Sequence, residues 1–168
     1  MPNPPDIATF PDLYQHAVSD RHWLGPFLSG HLMVEFMLRK LAIQHDGSIT
    51  ARVDKMRHFQ LIELNSQIGT ISASQKDVLV AINQMRNKLA HEITYDPTID
   101  EMRAMWLAAA AAFSDLTDGI SQGLGEMDVE GKLRALDSWV FSELFVQIAY
   151  DLHHAFIDMG GDHEVFAR

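Results

Sequence analysis

The chain has 168 residues, 47% hydrophobic and 21% charged, a balance that suits one globular domain with a real core and excludes a disordered or supercharged chain. Its formal net charge of −10 repels polyanions at long range, so any role with nucleic acid has to rest on a local cationic spot or a basic partner. Cysteine is absent, which removes disulfides and thiolate metal sites and fits a reducing cytoplasm.

The opening MPNPPDIATF carries prolines at 2, 4 and 5 and neither a basic nor an apolar signal region, so residues 1–8 read as a loose leader. TFPD then starts a helix: Thr9 caps, Pro11 occupies the first turn and Asp12 faces the positive end. That helix is expected to stop near Gly25-Pro26, with a second running from Pro26 to about His45. The second segment is apolar on most faces, as in the centre of a bundle. DGSIT reads as a turn, and one helix is expected from Val53 to Gly69. SASQ offers a capping box between Ser72 and Gln75, opening a helix that closes near Glu92, ahead of Asp96-Pro97. TIDE, Thr98 to Glu101, is a second such box, with a helix through the alanine run to about Gly119. QGLGE reads as a linker, and a last helix is expected over roughly 129–159. No window alternates like a strand and no repeat is found. The longest apolar run, MWLAAAAAF, is too short to span a bilayer. The expected architecture is a single all-α domain over 1–168, a bundle of four or five main helices, in a soluble cytoplasmic protein with no membrane contact.

Arginine followed by histidine four to six positions later occurs three times, as Arg39…His45, Arg52…His58 and Arg86…His91. The spacing alone is weak, and context singles out the third. Asn87 and His91 share a helix face, with Arg86 about 100° round from Asn87. At a helix C-terminus the backbone carbonyls favour a protonated imidazole while Arg86 opposes it, a setting that suits a histidine to acid–base work. Arginine offers a planar donor fork for phosphate, and asparagine can orient the imidazole or hold a phosphate oxygen. Such a set suits RNA cleavage by its own 2′-hydroxyl, without metal. The same residues also make an ordinary basic helix terminator.

His31, Glu35 and Arg39 follow at i, i+4, i+8 on the apolar second helix, with two readings. Glu35 either reaches into a cleft to orient His91 or pair with Arg86, or forms an intrahelical pair with Arg39 on a narrow solvent-facing stripe. His153 and His154 point about 100° apart, a poor geometry for one metal ion, and His154 with Asp158 is at most a fragment of a site. No metal site and no cofactor are expected. The methionines and aromatics fall mainly on the periodic stripes and read as core.

MRNKLAHE, residues 85–92, resembles the signature of the HEPN superfamily, whose Arg-x(4–6)-His motif often reads Arg-Asn-x-x-Ala-His. With GHLMVEFMLRKL (30–41) and HFQLIELNSQIGTIS (58–72) upstream, the chain looks like the mannitol-operon-repressor branch, over about 25–97. Nothing after residue 120 contributes to the likeness. The resemblance implies a four- or five-helix bundle that pairs as a homodimer and joins two Arg/His motifs in one cleft. It implies a metal-independent endoribonuclease of toxin–antitoxin or phage-defence systems, with Arg86 and His91 catalytic and Asn87 and Glu35 supporting. RNA would be the substrate, and an antitoxin or regulatory protein a partner. The alternative it carries is a non-catalytic regulator or protein-binding module. Some toxin members have a tyrosine two residues after the histidine that their antitoxins modify. Here that position is Ile93, and the nearest tyrosine is Tyr95.

Overall fold

A computed structural model describes residues 8–18 and 21–162, so most of the expected leader lies outside the described residues. The described residues contain no strand, and the all-α expectation holds. The helices are α1 (Phe10–Val18), α2 (Leu24–His45), α3 (Thr50–Val53), α4 (His58–Gln67), α5 (Ala73–His91), α6 (Ile99–Ala112), α7 (Gly119–Glu130) and α8 (Ser138–Asp158). Two 3₁₀ turns, Gly47–Ile49 and Leu133–Ala135, lie between them. None of the helices is long and apolar enough to cross a membrane.

α2 and α8 form the most extensive seam. Phe27, Val34, Leu38 and Leu41 on α2 are buried, as are Phe141, Leu144, Phe145 and Ile148 on α8. Burying a side chain of this size is worth about 1.5–3 kcal/mol, so this seam is the main apolar anchor of the fold. Its helices approach closely because Gly30 faces Phe145, whose ring meets Phe27 edge-on at 5.3 Å. α4 and α5 pack on the other side of α2. There the buried Asn65 of α4 donates to the Leu38 carbonyl at 3.0 Å and accepts from the Thr70 hydroxyl at 2.6 Å, which fixes α4 against α2. The capping boxes form as expected: Ser72 Oγ accepts from Gln75 N at 3.1 Å, and Thr98 Oγ1 from Glu101 N at 3.1 Å.

Several boundaries differ from the sequence expectations: α1 ends at Val18, well short of Gly25. α2 begins at Leu24, so Gly25-Pro26 lies inside its first turn, where the missing proline N–H has no intrahelical acceptor to lose. The helix expected over 53–69 is broken at 54–57. The Arg39 guanidinium there takes the carbonyls of Val53 (2.9 Å), Asp54 (3.1 Å) and Met56 (3.0 Å), acceptors that a continuing helix would use itself. α6 ends at Ala112, and the expected QGLGE linker is part of α7. Asp115 opens α7 by accepting from Ile120 N and Ser121 N at 2.8 Å, and Gly123 lies where an added Cβ would come 2.9 Å from the Trp106 Nε1. That glycine serves close helix packing, not a turn. Finally, Gly131, at φ 63°, closes α7 in the left-handed conformation, so the last helix starts only at Ser138. Leu133 and Leu136 are buried, but from the connection before α8.

Candidate functional site

A cleft of about 800 Å³ opens between α2, the N-terminus of α4 and the C-terminal half of α5. α5 contributes Asn83, Arg86, Asn87 and His91, so all three motif residues line one concave surface. α2 contributes His31, Glu35 and Arg39, and the start of α4 contributes His58, preceded by Arg57. The helical period explains the convergence: 31, 35 and 39 on α2 and 83, 87 and 91 on α5 are each i, i+4, i+8 ladders, and the ladders face each other.

Three arginines and one glutamate line the cleft, a formal local charge of +2 (three minus one) on a chain whose total is −10. This is the local cationic spot that a polyanion ligand requires. The arginines are not equivalent. Arg39 is committed to three carbonyls and to Glu35, at 2.6 Å. Arg86 is half-buried and, among the described residues, donates only to the Oδ1 of its neighbour Asn87, at 3.3 Å. Arg57 is exposed at the rim. Arg86 and Arg57 are thus the guanidiniums available to an anion.

His91 is the last residue of α5 and is exposed at the mouth of the cleft. No hydrogen bond joins it to Asn87 or Glu35 among the described residues. Glu35 takes part of each sequence reading. It pairs with Arg39, as the intrahelical reading expects, yet it lines the cleft and faces no solvent stripe. Its second oxygen, Oε2, lies 3.4 Å from His58 Nδ1, and it makes no ion pair with Arg86 or His91. Glu35 belongs to the floor of the cleft and His91 to its mouth.

Of that floor, the sequence singled out the α2 ladder of His31 and Glu35 but not the His58 and Asn83 that meet it. His31 and His58 are buried, and their rings stack with centroids 3.9 Å apart and an interplanar angle of 26°. His31 Nε2 lies 3.4 Å from Asn83 Oδ1. Burial pushes the His58 imidazole down to about 4; the adjacent His31 adds to this and Glu35 opposes it. His31 is lowered too, first by burial, against the hydrogen bond to Asn83. Both rings are therefore neutral near pH 7, and the 3.4 Å approach of His58 to Glu35 joins a neutral imidazole to a carboxylate, not two opposite charges. Burial alone would raise the Glu35 carboxyl, but the hydrogen bond from Arg39 and the charge of its guanidinium oppose it, and the net shift is downward. The signal that could have placed Asn83 there was its i, i+4, i+8 spacing with Asn87 and His91, parallel to the ladder on α2. His153 and His154 join no cluster of three metal-ligating groups among the described residues.

Among the described residues, fold and site together define an all-helical protein with a cationic, histidine-rich cleft. Comparison with known family models, with curated proteins and with the solved structures finds no match to this chain.

Proposed function

We propose that the chain is a metal-independent endoribonuclease of the HEPN kind, with Arg86 and His91 as its catalytic pair. The observation that carries the reading is the meeting of Arg86, Asn87 and His91 on one cleft of net positive charge in an acidic protein. The chemistry follows from those groups. His91 takes the proton of a ribose 2′-hydroxyl, the oxygen attacks the adjacent phosphorus, and the P–O5′ bond breaks. The products are a 2′,3′-cyclic phosphate and a 5′-hydroxyl, whose oxygen receives the proton. Arg86 offers its guanidinium to the crowded phosphoryl oxygens, where charge builds most in the transition state. Asn87, hydrogen-bonded to Arg86, positions that guanidinium. Glu35 supports the reaction indirectly, from the cleft floor.

The exposure of His91 separates this role from a structural one. An exposed helix-terminal side chain contributes little to stability, so His91→Ala is expected within about 0.5 kcal/mol of wild type. The purified chain should cut mixed RNA in excess EDTA and leave cyclic-phosphate and 5′-hydroxyl ends. Absence of cleavage, or 3′-hydroxyl ends, would refute the reading.

A second reading is a regulatory or protein-binding module, including one that pairs as a homodimer. A separate observation favours it. Between α2 and α8 the exposed Met33, Phe36 and Tyr150 form an apolar groove with Met37, Val146 and Ala149. Exposed apolar surface of this kind marks contact with another chain. Light scattering tests it: a dimer that Phe36→Glu converts to monomer supports this surface as the contact, and a monomeric wild type refutes the homodimer.

A further inference from the structure

The cleft floor holds a second chemical feature that does not depend on RNA cleavage. One ligand atom each of His31, Glu35 and His58 lies within 4.8 Å of the others. The His58 side chain is 6% exposed, and neither of its ring nitrogens makes a hydrogen bond. Buried polar atoms in folded proteins are nearly always satisfied, and each unsatisfied one costs about 1–3 kcal/mol. A neutral imidazole carries one N–H and one lone pair, so this ring holds an unused lone pair beside a carboxylate and a second imidazole, which points to a ligand that accepts it.

We propose that His31, Glu35 and His58 form a binding site for a divalent transition-metal ion of the zinc class, with its open side facing the cleft. The donor set is two neutral imidazoles and one carboxylate, which suits Zn²⁺, Co²⁺ or Ni²⁺ better than Mg²⁺ or Ca²⁺. His31 and Glu35 are i, i+4 on α2, the spacing that puts two ligands on one helix face, and His58 enters from the first residue of α4. Arg39 holds Glu35 Oε1 at 2.6 Å and leaves Oε2 turned toward His58, which orients the carboxylate as groups behind a metal ligand do. The two imidazoles are neutral near pH 7, so binding has no proton to displace from them. Because the rings stack, loading requires one of them to turn until both lone pairs converge at about 2.1 Å from the ion. Asn83, 3.4 Å from His31 Nε2, is the contact released if His31 turns.

The test uses the full chain stripped with chelator and dialysed, then titrated with Co²⁺ and followed by visible absorption, with no RNA present. One equivalent is expected to produce a tetrahedral or five-coordinate Co²⁺ spectrum that Zn²⁺ displaces. Glu35→Gln and His58→Ala should weaken binding at least about tenfold, as loss of groups that hold a metal does, while His154→Ala leaves it unchanged. Because the buried variants can lose their fold, the wild type is also read directly. On adding Zn²⁺, the imidazole resonances of His31 and His58 should shift while that of His154 stays. A folded wild type without stoichiometric binding, or binding that shifts only other histidines, overturns the proposal. RNA cleavage is assayed in EDTA and metal binding without RNA, so either can fail while the other stands.

Discussion

Replacing Gly30 by alanine tests the seam that carries the α2 half of the cleft. A methyl group built on Gly30 would overlap the Phe145 ring at Cγ and Cδ2 and lie 2.7 Å from its Cβ, well inside ordinary contact. The ring has no room to swing aside, because it is fully buried and meets Phe27 edge-on at 5.3 Å. The two longest helices must therefore separate. Overpacking a tight core costs typically 1–3 kcal/mol, and a clash with the base of a locked ring belongs at the upper end. Alanine returns roughly 1 kcal/mol of helix propensity relative to glycine. The net is a loss of about 2 kcal/mol, or roughly 4–8 °C in melting temperature for a chain of this length. Chemical denaturation of wild type, Gly30→Ala, Phe145→Leu and the double variant gives the numbers. Leucine at 145 removes the ring that clashes, so the double variant should be less destabilised than the sum of the singles. A Gly30→Ala protein as stable as wild type, or strict additivity in the double variant, would refute the close-packed seam.

Other outcomes follow from the cleft. Arg39→Ala removes a guanidinium from three carbonyls and Glu35, and should cost about 2–3 kcal/mol, discounted for its partial exposure; Arg39→Lys should recover only part, since one ammonium cannot replace the fork. Urea melts check both, and an unchanged midpoint for Arg39→Ala would contradict the bridging role. The His58 imidazole is held near 4, below its unfolded value, so the unfolded chain takes up its proton first as pH falls. The contribution of neutral His58 is intact above about pH 6.5 and is lost as pH falls toward 4, with about 2 kcal/mol gone by pH 5. The groups facing it are His31, Glu35 and Arg86, and His31 titrates in the same direction. In chelator, His58→Gln should lose roughly that much less stability than wild type between pH 7.5 and 5; parallel curves would contradict the buried neutral imidazole.

The helical class, both capping boxes and the closure of α5 were legible because they rest on local signals: periodicity, a Ser or Thr three residues before Gln or Glu, and Asp96-Pro97 beyond the last turn. The errors fell where tertiary contacts override local ones. Nothing within 53–57 announces a helix break, since the cause is Arg39, at least fourteen residues earlier in the chain. The glycines of QGLGE look like a linker until Trp106 and Val140 are seen packed against Gly123. The site divides in the same way. Arg86, Asn87 and His91 stood out because they cluster in one short stretch, and the structure places them together on the cleft. His58 did not, because it borders α2 only through the fold, and its own sequence partner, Arg52, does not line the cleft. Glu35 was singled out correctly as a polar residue on an apolar helix, but its partners proved to be Arg39 and His58.

The most direct test of the central proposal is the rate of RNA cleavage in EDTA by wild type, Arg86→Ala and His91→Ala at equal concentration, with folding checked by circular dichroism. Loss of a positioned acid–base group or of transition-state charge stabilisation costs about 10²–10⁴ in rate. The wild type should therefore cut while each variant falls by at least about a hundredfold with its melting temperature nearly unchanged for His91→Ala. Equal cleavage by all three proteins, or none by the wild type, would contradict it.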